Sequence, residues 1–121
     1  MSLEFSLAKL TGSPSSSGWA QVHEFTPEDP QKLEKRGRLV AVISLKSGQG
    51  NIVAVGREII SRFHEEYYGF DEGSAFSALA GSVQKVIDEF GRDDAAIEIA
   101  AISYVSGVIY SVAAGGAQIL I

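Results

Sequence analysis

The sequence predicts an α+β domain in which a mainly antiparallel sheet carries a helix pair on one face, in the order three strands, two helices, three strands. Three observations predict it. Leu39 to Leu45 is a near-continuous apolar run of strand length. From Asn51 to Phe90 the apolar residues fall at spacings of three and four, the rhythm of helices buried along one stripe. Beyond Ala95 β-branched residues return in short runs separated by Ser106-Gly107 and Gly115-Gly116, the punctuation of a meander. Strands grouped apart from helices favour a sheet with its helices segregated to one side.

Leu3 to Leu10 alternates as a strand, and the Gly, Pro and Ser residues after it read as a loop. Trp19 to Phe25 alternates again, with Trp19, Gln21 and His23 on one face and Ala20, Val22 and Glu24 on the other. The charged stretch from Thr26 to Arg38 is a connection, with one helical turn from Asp29 to Lys35. The apolarity of Leu39 to Leu45 implies that both faces of that strand are covered. Asn51 is a natural N-cap for a helix whose buried stripe is Ile52, Val55, Ile59, Phe63 and Tyr67. Gly69 breaks it. Ser74 caps a second helix, with Phe76, Leu79, Ala80, Val83, Val86, Ile87 and Phe90 facing inward and Gly91 at its end. The strands Ala95 to Val105, Gly107 to Ala114 and Gly116 to Ile121 complete the order.

A chain of 121 residues with 45% hydrophobic content suits one domain with a full core. The net charge of −5, with ten scattered Lys and Arg, argues against nucleic acid as a partner, because phosphate binding requires clustered cations. The lack of cysteine excludes disulfides and thiolate metal sites. No apolar run approaches the ~20 residues of a membrane span, and no basic-then-apolar leader opens the chain, so a cytoplasmic protein without a membrane partner is expected. The last residues, Ile119 to Ile121, are aliphatic without a polar cap, so a further segment, a partner or an assembly is expected to cover them.

Among the candidate sites, backbone N–H groups around Ser47, Gly48, Gly50 and Asn51 open a helix and form a weak anion-binding candidate. The loop lacks the Gly-Lys-Ser/Thr ending of a P-loop, and its plainer reading is a strand-to-helix turn. His23 and His64, the chain's two histidines, stand far apart in sequence, and neither belongs to a His-x-x-x-His or His-Glu-x-x-His motif. Their expected role is that of solvated or hydrogen-bonded side chains. No Gly-x-Ser-x-Gly elbow is present, and Asp71-Glu72 and Asp93-Asp94 read as helix-end acids. Arg57 with Glu58, and Arg62 with Glu65 and Glu66, read as the polar face of one helix. No catalytic residue, metal ligand set or cofactor is expected from these patterns.

From Trp19 onward the element order and two junctions resemble the N-terminal half of a metal-dependent protein phosphatase of type 2C. Leu39 to Gly50, leading into Gly56 to Tyr68, lies where that family has an Asp-Gly pair between a strand and a long helix. Val108 to Ile121, with Ala113 to Gln118 at its turn, lies where the family has an Ala-Asn-Val-Gly-Asp-Ser-Arg stretch. Glu28 and Asp29 precede the strand by about the distance of the family's acidic signature. The resemblance implies half of an αββα sandwich. The Asp that bridges two metals in the family aligns with Ser44 here, and the Gly with Leu45. A hydroxyl and an isobutyl group do not balance two divalent cations. The expected function is therefore that of a catalytically inactive, phosphatase 2C-like binding or regulatory module, which homodimerises or takes a protein partner through an open sheet face. The alternatives are half of a functional metal-dependent Ser/Thr phosphatase, with a site near Ser44 and Asp29, and a small anion-binding α+β module.

Overall fold

A computed structural model describes residues 18–46, 51–69, 72–91 and 96–115. The strands expected at Leu3 to Leu10 and Gly116 to Ile121 lie outside these residues, as do Ser47, Gly48, Gly50, Asp71 and Asp93-Asp94. The elements in order are β1 (Gly18–Phe25), α1 (Pro30–Arg36), β2 (Arg38–Lys46), α2 (Ile52–Gly69), α3 (Ala75–Phe90), β3 (Ala96–Val105) and β4 (Val108–Ala114). The four strands form one sheet in sequence order, and every neighbouring pair is antiparallel. The described chain is thus α+β, with three helices: the turn expected at Asp29 to Lys35 is α1.

The helix pair explains how β2 and β3 become antiparallel neighbours. One helix crossing the sheet between two strands returns the chain parallel to its start, whereas two helices folded back on each other reverse it once more. The seven-residue α1 instead serves as part of a turn between the antiparallel β1 and β2. Local chemistry sets the helix ends. Asn51 caps α2, its Oδ1 accepting from the Ala54 N–H at 3.2 Å. Ser74 caps α3 by accepting from Ser77, and the Gly91 N–H closes it on the Ile87 carbonyl at 2.8 Å. Asp29 caps α1 from the residue before Pro30. Between β3 and β4, Ser106 and Gly107 both adopt positive φ, 50° and 84°, as a two-residue hairpin turn requires.

α2 packs over β1 and β2, and α3 over β3 and β4. Their stripes meet one sheet face, made of Leu39, Ala41, Ile43 and Leu45 from β2 with Ile97, Ile99 and Ala101 from β3, all buried. Ile59, Phe63, Tyr67, Leu79 and Val86 fill the layer above, each with no exposed surface. Phe76 departs from expectation. The inward positions of α3 are Ala75, Leu79, Ser82, Val83 and Val86, and that register leaves Phe76 48% exposed, its ring 6.2 Å from Tyr110 at the sheet edge. Arg62 and Glu66 depart too. They pair across the helix interface, Arg62 with Glu89 at 3.2 Å and Glu66 with Lys85 at 3.7 Å.

Of the two β2 faces expected to be covered, the described residues cover one. Helices cover the Leu39 face, while the alternate face, carrying Val40, Val42 and Ser44, is open, and Val42 is 47% exposed. An apolar run fits a strand buried on both sides, but here it reflects apolar residues on two faces of which the helix pair takes one.

Two helical glycines carry a prediction of opposite signs. A Cβ on Gly56 would lie 2.6 Å from ring atoms of Trp19, which is itself buried against the helix. At Gly81 a Cβ meets nothing within 4 Å. Gly81→Ala is expected to stabilise the fold by about 0.5–1 kcal/mol through helix propensity. Gly56→Ala is expected to destabilise it by about 1–2 kcal/mol, overpacking outweighing the same propensity gain. Urea denaturation of the two variants checks both signs.

Candidate functional site

The residues set apart by the sequence fall in three places. The first is a cleft of about 210 Å³ between the end of β1, α1 and α2, lined by Phe25, Pro27, Glu28, Asp29, Lys32, His64 and Tyr68. His23 and Phe25 alternate onto the helix side of β1, and His64 and Tyr68 sit one turn apart on α2. That geometry brings the two histidines together: His23 Nε2 lies 3.2 Å from His64 Nδ1. Sequence reasoning expected hydrogen-bonded histidines but not this partnership, which spans 41 positions and depends on where α2 lands on the sheet. The Phe25 ring stands edge-on to His64 at 4.4 Å.

At the cleft, burial favours the neutral forms of His64 and Tyr68. Burial pushes the His64 imidazole below its ordinary pKa, the Lys32 ammonium adds to the effect, and Glu65 opposes it. Burial raises the pKa of both Tyr67 and Tyr68, keeping them as phenols, and for Tyr68 the neighbouring Tyr67 adds to it. Around Tyr67, Ser103 and Arg36 oppose that rise. The two phenols act as donors to one short piece of backbone: Tyr67 to the Arg36 carbonyl and Tyr68 to the Gly37 carbonyl at 2.9 Å. Asp29 is occupied as the α1 cap, accepting from the Gln31 N–H at 2.9 Å.

The second place is the start of α2. Asn51 supplies its own acceptor there, and its carbonyl also accepts from Val55 at 3.1 Å. Ser47, Gly48 and Gly50, the rest of the anion-binding candidate, lie outside the described residues.

The third place is Ser44, the position the phosphatase resemblance assigns to a metal-bridging acid. It sits half-buried on the open sheet face, paired with Ala20 of β1 and Glu98 of β3, while Leu45 turns to the helix side with no exposed surface. The structure does not bring Ser44 and Asp29 together. β1 ends at Phe25 opposite Leu39, five residues from Ser44 or about 17 Å of strand, and Asp29 lies beyond that end in the helix-side cleft. Two-metal sites hold their ions about 3.5–4 Å apart, so these two residues cannot share one. The carboxylate that register places beside Ser44 is Glu98, a neighbour visible only once the β2–β3 pairing is known. Among the described residues no group of three or more His, Cys, Asp or Glu is arranged to hold a metal ion.

Among the described residues the chain is an α+β domain, a four-stranded antiparallel sheet with a helix pair on one face. No family model matches the chain, and neither a curated protein nor a solved structure is significantly similar to it. No helix among the described residues is long and apolar enough to cross a membrane.

Proposed function

We propose that this chain is a catalytically inactive, phosphatase 2C-like domain that serves as a binding module, and that its partner on the open sheet face is a second copy of itself. The observation that carries the reading is the face away from the helices. Register lays its side chains in rows, Val22-Val42-Ala100-Ala113 and Val40-Ile102-Ser111, with Tyr104 and Ile109 beside them. Val42 and Ile109 are 47% and 57% exposed. Contiguous apolar surface of this kind marks an interaction site.

Area and charge favour a second copy. Four strands at about 4.8 Å spacing and about eight residues of length present roughly 500 Å². Two such faces bury about 1,000 Å², the lower bound for a stable contact. The charged residues around the rows, Glu24, Glu98, Arg38 and Lys46, cancel, so the face escapes the self-repulsion expected of a chain with net charge −5. Stacked sheet on sheet, two copies place their helix pairs outside and form the αββα arrangement that the resemblance implies for one longer domain. Ser44 and Leu45, in place of the family's Asp-Gly pair, support the inactive reading.

Light scattering at micromolar concentration tests this. The chain is expected to run as a dimer and Val42→Lys as a monomer, with a dissociation constant raised at least about a hundredfold by two buried unpaired charges. Because Val42 is already 47% exposed, the variant's secondary structure is expected to stay intact. A soluble monomeric parent chain overturns the dimer, and manganese-stimulated hydrolysis of a phosphomonoester overturns the inactive reading.

A further inference from the structure

On the opposite side of the sheet from that interface, the geometry points to a chelating site for a transition-metal cation, with His23 Nε2 and His64 Nδ1 as its two protein ligands and water completing the shell. The two nitrogens lie 3.2 Å apart. With metal–nitrogen bonds of about 2.0–2.1 Å, that separation subtends roughly 100–106° at a shared ion, close to a tetrahedral angle. The rings stand at 77° with centroids 5.4 Å apart. An ion there takes the place of the proton in the His23–His64 hydrogen bond, each ring turning by roughly 40° so that its nitrogen faces the ion.

The surroundings suit a cation that prefers imidazole. His64 opens onto the cleft, which gives a path for entry and for coordinated water. Glu28 and Asp29 line that cleft beside Lys32, and at His64 itself the Lys32 charge outweighs that of Glu65, so the imidazole nitrogens and not the surrounding charge carry the affinity. Imidazole favours copper, zinc and nickel over magnesium or calcium, and divalent copper binds such sites most tightly. The ligands come from β1 and α2, so the ion ties the edge strand to the helix above it and stabilises the fold by mass action.

The site is tested with divalent copper alone, on the intact chain. Calorimetry is expected to show one copper per chain, and pulsed electron paramagnetic resonance to show two imidazole nitrogens on it. With two histidines in the whole sequence the count is unambiguous. His23→Gln and His64→Gln are each expected to abolish the two-imidazole signal, with circular dichroism confirming that the helices persist. Copper that carries one imidazole or none on the parent chain overturns the site even if a variant fails to fold. So does stoichiometric binding that survives either substitution, or no binding at micromolar copper. Dimerisation is not required for any of these readouts, so failure here leaves the sheet-face proposal standing, and the reverse holds.

Discussion

Gly37→Ala is expected to cost at least about 3 kcal/mol, a large share of the total stability of a domain this size. Gly37 links α1 to β2 with φ 68° and ψ −155°, a backbone region essentially reserved for glycine. A Cβ there would lie 2.0 Å from the Tyr104 carbonyl oxygen and 2.9 Å from the Val105 Cα. Those atoms belong to β3, which is hydrogen-bonded to a strand on each side and cannot retreat. Nor can Gly37 itself move: its N–H donates to the Lys32 carbonyl at 3.2 Å and its carbonyl accepts from Tyr68 at 2.9 Å. Strain and clash therefore add. Urea denaturation followed by far-ultraviolet circular dichroism measures the loss, and a cost below about 1 kcal/mol would show that the link relaxes without disturbing β3.

Arg36→Ala is expected to have an effect of similar size, about 3–5 kcal/mol. Arg36 is only 2% exposed, and its guanidinium donates to the Glu72 carbonyl at 2.9 Å and the Gly73 carbonyl at 3.2 Å. Those carbonyls lie in the turn between α2 and α3, immediately before the Ser74 cap. The side chain therefore fastens the end of α1 to the start of α3. Truncation removes two charge-assisted bonds and leaves a cavity where a large side chain stood. Arg36→Lys is expected to recover only part of the loss, because an ammonium has no planar fork for two neighbouring carbonyls. Hydrogen exchange supplies the regional signature: amides in the first turn of α3 lose protection before those at the β2–β3 pairing. Uniform loss, or none, would contradict the anchoring role.

The same pair of residues marks where sequence reading runs short. Arg36 and Gly37 read as part of a charged connection, and nothing within four positions announces that one is buried and the other locked against β3. Tyr67 was legible as a core residue of α2, but not as a donor to the Arg36 carbonyl, 31 positions earlier. Tyr68, next along α2, makes the matching bond to Gly37. For the candidate site the pattern repeats. Each histidine is visible in the sequence, yet their meeting requires α2 to lie over β1 in one register.

What the sequence by itself determined are the features whose causes lie within a turn or two of chain. These are the helix stripes of Ile59, Phe63 and Tyr67 and of Leu79, Val83 and Val86, the caps at Asn51, Ser74 and Gly91, and the tight turn at Ser106-Gly107. Helical period, side-chain capping and positive φ are satisfied by neighbours about four residues away or nearer, so the sequence carries them directly. Only the tertiary structure decided which face of β2 the helices cover and that Glu98 stands beside Ser44. It also set Arg62 and Glu66 against α3 and joined His23 to His64. Both faces of β2 and β3 carry apolar residues, so alternation alone does not choose between them. Packing the helix pair makes that choice, and a one-residue change in strand register would exchange every side chain between the covered face and the open one.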